Sequence, residues 1–227
     1  MEQLIFDFGA NSNIDKFIES DFVINNENIS AQKFLQKFFT QKNFLQSQFQ
    51  SIILKGDQGC GKTHLLNIFA NNYQAEFINY RDIEFINPIN LFQIEKFYII
   101  DNCSSIKSES ALFHFINSAF ECRAFLVLVI DNQEKFLLKD LNSRLKNIFT
   151  LEIKDPSQET VKLLLSNLFS RKQLAISRSV IEEISFMIKK YSQIHMAVKL
   201  IESMSHHQSL KKVTNKEIKK FLSRILF

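Results

Sequence analysis

Three of the four glycines in this chain, Gly56, Gly59 and Gly61, crowd into one short segment. It reads Gly56-Asp57-Gln58-Gly59-Cys60-Gly61-Lys62-Thr63, the G-x-x-x-x-G-K-[ST] spacing of a phosphate-binding loop. Glycine belongs where the backbone must take a positive φ or let a ligand approach closely. Backbone N–H groups from Gly56 to His64, those of Gln58, Gly59, Cys60 and Gly61 among them, then face phosphate oxygens at the start of a helix. Lys62 reaches the β and γ oxygens, and the Thr63 hydroxyl ligates Mg2+. The expected chemistry is the binding of ADP or ATP with Mg2+.

Other residues are spaced to complete such a site. Phe97-Tyr98-Ile99-Ile100-Asp101 is a buried type of strand ending on a carboxylate, which would hold Mg2+ through water. The next residue is Asn102, not a second acid that would polarise an attacking water, so intrinsic hydrolysis is expected to be slow. The apolar run 125–130 ends in Asp131-Asn132, where Asp131 either senses the γ-phosphate or simply forms a turn. Arg144, in Leu141-Asn142-Ser143-Arg144-Leu145, is either a solvated surface cation or a finger reaching a phosphate on a neighbouring subunit.

These residues need a sheet to hold them. Strand-like runs at 51–55, 75–80, 97–102, 124–130 and 149–153 alternate with helical or polar stretches. That pattern predicts an α/β fold, with a five-stranded, mostly parallel sheet covered by helices. Ligands of such sheets sit at the C-terminal ends of the strands. From Asp155 the pattern turns helical only. Asp155-Pro156 with Gln158 reads as N-cap, N1 proline and N3 partner, followed by a face of Val161, Leu164, Leu165 and Leu168. A second helix starts at Ser177 with Ile181, Ile184 and Ile188 inward, and a third at Ser192 with Ile194, Ala197, Val198 and Ile201. Thr214-Asn215-Lys216-Glu217 is a capping box for a fourth. The expected organisation is an N-terminal peptide over 1–12, a nucleotide-binding domain over 13–155 and a helical lid over 156–227.

Composition bounds the function. Of 227 residues 45% are hydrophobic, which suits a packed core rather than a disordered or fibrous chain. Lys plus Arg is 28 against 24 for Asp plus Glu, a net +4 that neither demands nor excludes nucleic acid. The basic residues of the last stretch, Lys211, Lys212, Lys216, Lys219, Lys220 and Arg224, read as a solvated helix face in preference to a DNA contact. Cys60, Cys103 and Cys122 have neither the number nor the spacing of a disulfide framework or a zinc site. No run approaches the roughly 18 apolar residues of a membrane span. A soluble, cytoplasmic protein is expected.

A phosphate-loop sheet followed by a helical lid resembles the AAA+ ATPases, and within them the DnaA clade. The likeness is carried by Asp21-Phe22-Val23-Ile24, by Gly56 to His64 with Thr63-His64-Leu65-Leu66, by Ile99-Ile100-Asp101-Asn102, and by Ser143-Arg144. The chain ends at Phe227, where the lid is expected to end, so the helix-turn-helix domain of DnaA is not expected. A short relative of this kind is similar to the Hda-type regulatory inactivators of DnaA. Gln3-Leu4-Ile5-Phe6-Asp7-Phe8 is then similar to the clamp-binding peptide of that family. Gln3 would hydrogen-bond while Leu4, Phe6 and Phe8 enter an apolar groove. Taken alone, those residues fit equally well a first strand tucked on the domain.

The resemblance implies a mechanism. Adenine lies near Phe22, Val23 and Ile24. The protein docks on the DNA-loaded sliding clamp of DNA polymerase, meeting DNA only through that clamp. Arg144 contacts the γ-phosphate of ATP bound to DnaA and promotes its hydrolysis, which is negative control of replication initiation. No membrane partner is expected, and there is room for a homodimer. One position departs from the family. An Arg early in the third lid helix is expected as a nucleotide sensor, but Ser192-Gln193-Ile194-His195 places His195 there. An imidazole carries less positive charge at neutral pH than a guanidinium, which suits an ADP-bound module. Two other readings stay open: an autonomous DnaA-like or helicase-loader-type ATPase, and a DNA-binding scaffold that uses the basic C-terminal helix.

Overall fold

The computed structural model describes residues 22–40, 49–132 and 134–207. The peptide of residues 3–8 and the expected fourth lid helix lie outside the described residues. The first helix, α1 (Ile29–Phe39), was not foreseen from the sequence. It buries Ala31, Leu35, Phe38 and Phe39, a spacing that puts all four on one face.

Five strands follow: β1 (Ser51–Gly56), β2 (Glu76–Ile78), β3 (Phe97–Ile100), β4 (Phe125–Ile130) and β5 (Phe149–Ile153). They form one sheet in the order β2-β3-β4-β1-β5, and every pairing is parallel. The expected run at 97–102 stops short because Asn102 takes a left-handed φ of 58° and opens a 3-10 turn at Cys103–Ser105.

Crossover helices α2 (Lys62–Tyr73), α3 (Glu109–Glu121) and α4 (Lys139–Lys146) cover the two faces. Alternate strand residues feed two cores. Ile52, Leu54, Ile99, Val127 and Val129 pack with Leu35 and Phe38 of α1 and Leu66 of α2. Ile53, Tyr98, Ile100, Leu126 and Leu128 pack with Leu112 and Phe115 of α3 and Leu141 of α4. A sheet buried on both faces needs unbroken apolar strands, which is why β3 and β4 read as continuous hydrophobic runs.

The register positions the site. Lys55 pairs with Ile130, and Ile100 pairs with Leu128. Gly56, Asp101 and Asp131 therefore stand side by side at the C-terminal edge of β1, β3 and β4. β1 is followed by a crossover to β2 on one side and its neighbour β4 by a crossover to β5 on the other, so the connections leave these two strands in opposite directions and open a crevice between them.

The lid is α5 (Gln158–Arg171), α6 (Arg178–Met187) and α7 (Tyr191–His207). Ile194, Ala197, Val198 and Ile201 are buried, as their spacing predicts, against Val161, Leu165 and Ile184. Leu164, Leu168 and Ile181 are only partly covered. The cap of α5 is Ser157, not Asp155: its Oγ accepts the Thr160 N–H at 3.3 Å. Asp155 precedes a proline, which biases it to extended backbone and delays the first helical turn. Similarly, α7 starts at Tyr191 rather than Ser192.

Glu27, ahead of α1, fastens this lid to the N-terminal segment. It accepts hydrogen bonds from the Ser157 N–H at 3.1 Å and the Thr160 hydroxyl at 2.7 Å. A carboxylate at a helix N-terminus also meets the positive end of the helix dipole. Partial burial pushes the Glu27 carboxyl up, but these hydrogen bonds outweigh it and hold the group below its usual value.

Candidate nucleotide site

The turn from β1 into α2 is built by glycine. Gly59 and Gly61 take φ of +82° and +94°, a region that side chains with a Cβ avoid. At Gly56 an added Cβ would lie 2.6 Å from Cys60 Sγ, so close packing of the loop fixes that position. Lys62 begins α2 directly after Gly61. The first N–H groups of α2 therefore face the mouth of the loop with no helical carbonyl to bind.

Lys62 is buried, and its ammonium is held from three sides. It donates to the carbonyls of Gly56 at 2.6 Å and Asp57 at 3.1 Å and to Asp131 Oδ1 at 2.9 Å. Asp131 therefore faces the Lys62 ammonium from the end of β4. Its own N–H donates to Ser104 Oγ at 3.3 Å. Asp57 ties the loop to two other elements. It accepts from Asn132 Nδ2 at 3.3 Å and from Lys190 Nζ, ahead of α7, at 2.5 Å.

The Thr63 hydroxyl donates to Asp101 Oδ2 at 2.6 Å, and Asp101 Oδ1 accepts the Asn102 N–H at 2.8 Å. A hydroxyl and an oriented carboxylate converging at a phosphate loop are hard oxygen donors of the kind Mg2+ takes alongside nucleotide phosphates and water. These two residues fit that ion, which would screen phosphate charge when bound.

Two cavities meet at the loop. The larger, about 1110 Å³, is lined by Gln58, Gly59, Gly61, Lys62, Thr63, His64, Asp101, Asn102, Asp131 and His195 among others. The smaller, about 210 Å³, is bounded by Phe22, Val23, Gly59, Cys60, Gly61, His64, Leu168, Ile194 and His195. Its apolar walls, interrupted by polar side chains, suit a flat heterocycle with hydrogen-bonding edges. The Phe22 ring meets the His64 ring edge-on, with centroids 5.4 Å apart.

Ile24 does not join this set: it is 51% exposed and lines neither cavity. Gly56 contributes through its carbonyl rather than as a wall. His195 reaches the loop, with its Cδ2 3.3 Å from where a Cβ on Gly59 would lie. Burial pushes the Cys60 thiol up, so it stays protonated and serves as packing.

Arg144 is elsewhere. It sits on α4 and lines neither cavity, and its guanidinium lies over the Phe120 ring, 5.0 Å from the centroid. It is half-buried and remains at the surface.

Several participants have no signature in the sequence. Asn25, Asn28, Asn167, Arg171 and Tyr191 also bound the smaller cavity. They come from segments far apart in the chain, and only the folded lid brings them together. The Lys190 contact with Asp57 is equally silent, because nothing in the spacing around either residue announces a partner so distant. Among the described residues there is no cluster of three or more His, Cys, Asp or Glu side chains able to hold a metal by themselves. Nor is any helix among them long and apolar enough to cross a membrane.

Comparisons with known proteins agree with this geometry. The chain is 26% identical over 230 residues to the chromosomal replication initiator protein DnaA of Buchnera aphidicola subsp. Cinara cedri, covering 86% of this chain and 49% of that protein. It thus spans about half the length of the curated relative it matches. In fold it is similar to domain III of the Thermotoga maritima replication initiation protein DnaA, with TM-score 0.69 and 15% identity over 95% of this chain and 98% of that one. AMPPCP-bound DnaA from Aquifex aeolicus gives TM-score 0.67 and 20% identity, covering 92% of this chain and 70% of that one. The Thermotoga maritima RuvB branch migration motor gives 0.63 and 17%, covering 89% and 70%. Residues 52–186, more than half of the chain and the stretch that runs from β1 through the phosphate loop into the lid, match the model of the ATPase family associated with various cellular activities. This protein belongs to that AAA family.

Proposed function

We propose that this protein is a DnaA-like regulator of replication initiation that holds ADP or ATP in its own phosphate loop and promotes hydrolysis of ATP held by DnaA. Gly56 to His64 bind the phosphates, Thr63 and Asp101 hold Mg2+, and Phe22 and Val23 flank the base. Residues 3–8 moor the protein to the sliding clamp on DNA, through Gln3, Leu4, Phe6 and Phe8. Arg144 enters the site of DnaA, where negative charge develops on the transferring phosphoryl group. A guanidinium supplied from a second molecule is worth ~10³–10⁵-fold in such a rate.

One observation carries this reading: Arg144 stands on a surface helix, apart from both cavities of its own chain. Asn102 in place of a second acid supports it from the other side, because an amide does not act as a base on an attacking water.

The test is phosphate release from ATP-loaded DnaA in the presence of clamp on DNA. Wild-type chain is expected to stimulate it. Arg144→Ala and a chain lacking residues 3–8 both lose stimulation, and only the second loses clamp binding. Normal stimulation by Arg144→Ala overturns the assignment. A second reading, an autonomous replication ATPase, is favoured by the assembled Lys62, Thr63, Asp101 and Asp131 set. Brisk ATP turnover by the chain alone selects it.

A further inference from the structure

We infer that Phe120 is a positioning residue for Arg144, an aromatic platform that aims the guanidinium while leaving its charge and its N–H donors available. This inference rests on the proposed role of Arg144 in trans.

The pair bridges two helices. Phe120 lies in the last turn of α3 and Arg144 in the last turn of α4, with the guanidinium carbon 5.0 Å from the ring centroid. Phe120 is 48% exposed, so it is not a core residue that an arginine happens to cover. The nearby alternatives are acids. Asp140 is one turn earlier on α4, the spacing at which helical ion pairs form, and Glu121 follows Phe120. Arg144 nevertheless makes no ion pair within 4.0 Å among the described residues.

That choice matters chemically. A carboxylate would orient the guanidinium but neutralise it and occupy its donors in a bidentate pair. A π face orients the same group by its quadrupole and accepts no conventional hydrogen bond. The outer edge of the guanidinium stays free for phosphoryl oxygens. Pre-orientation also reduces the rotamer freedom that a long side chain loses on docking.

The experiment measures stimulated hydrolysis on ATP-loaded DnaA with clamp on DNA, at saturating and half-saturating chain. Phe120→Leu, which keeps apolar bulk but removes the ring face, is expected to lower the saturated rate by about twofold to fivefold, the population shift of one exposed cation–π contact. The concentration for half stimulation stays unchanged. Phe120→Tyr restores the rate. Thermal melting and ADP affinity of Phe120→Leu stay at the wild-type values, which a general packing defect would not reproduce. Full stimulation by Phe120→Leu alongside loss by Arg144→Ala overturns the positioning role and leaves the finger standing. Full stimulation by Arg144→Ala overturns both. Should Phe120→Leu fail to fold, the Arg144 side-chain protons of the wild-type chain decide: an upfield ring-current shift supports the platform, and its absence rejects it.

Discussion

The ammonium of Lys62, at the start of α2, and the carboxylate of Asp131, at the end of β4, lie 2.9 Å apart. The lysine is buried while the Asp131 side chain is 44% exposed, so the carboxylate can turn outward and free the lysine for a ligand. Asp131 thus occupies the lysine in a way a nucleotide phosphate would replace. Lys62→Ala is expected to weaken ADP and ATP binding by roughly tenfold to a hundredfold, the worth of one charged hydrogen-bond donor. Asp131→Asn is expected to keep binding while altering the ratio of ATP to ADP affinity. Isothermal titration with each nucleotide measures both, and unchanged affinity in Lys62→Ala would remove the phosphate site.

Thr63 and Asp101 meet at 2.6 Å. Thr63→Val and Asp101→Asn are therefore expected to abolish the Mg2+-dependent part of nucleotide affinity and leave the metal-free part. Titration with ATP in Mg2+ and in chelator separates the two. Equal Mg2+ dependence in wild type and Asp101→Asn would show that the metal is held elsewhere.

Glu27 couples pH to the lid. Its folded-state carboxyl titrates below the usual value, so its contribution is fully present above about pH 4.5 and is lost as pH falls through the folded value. Glu27→Gln is expected to melt roughly 2 °C below wild type near pH 7, as for one anion removed from a helix N-terminus. The gap closes as pH falls through the folded-state value. A gap that persists in acid would assign the effect to shape rather than charge.

His195 sits against Gly59 of the phosphate loop, with its Cδ2 3.3 Å from where a Cβ there would lie. His195→Arg supplies a permanent planar cation there. It is expected to tighten ATP over ADP by about tenfold, again one charge-assisted contact. Competition between labelled ADP and ATP reads that ratio directly. An unchanged ratio would place the histidine outside phosphate range.

Much of this was legible in the residues themselves. The glycine spacing located the loop because positive φ at Gly59 and Gly61 leaves few substitutes. The continuous apolar runs of β3 and β4 announced a sheet covered on both faces. α1 escaped although Asn28 is a cap-forming residue type and Ala31, Leu35, Phe38 and Phe39 share one face, because the motifs of the phosphate site lie outside it. The α5 cap was misplaced because Asp-Pro carries the composition of a cap, while the hydrogen bond is made by Ser157. Residues of the smaller cavity such as Asn167 and Arg171 were silent because each becomes part of a site only when the lid folds over the loop.

The role proposed for Arg144 is to act on a nucleotide held by another molecule. The measurement that tests it most directly is single-turnover release of labelled phosphate from ATP preloaded on DnaA, with unlabelled ADP on this chain and clamp on DNA. Faster release is expected with wild-type chain and no acceleration with Arg144→Ala, although that variant still binds ADP and clamp. Equal acceleration by the two chains would contradict it.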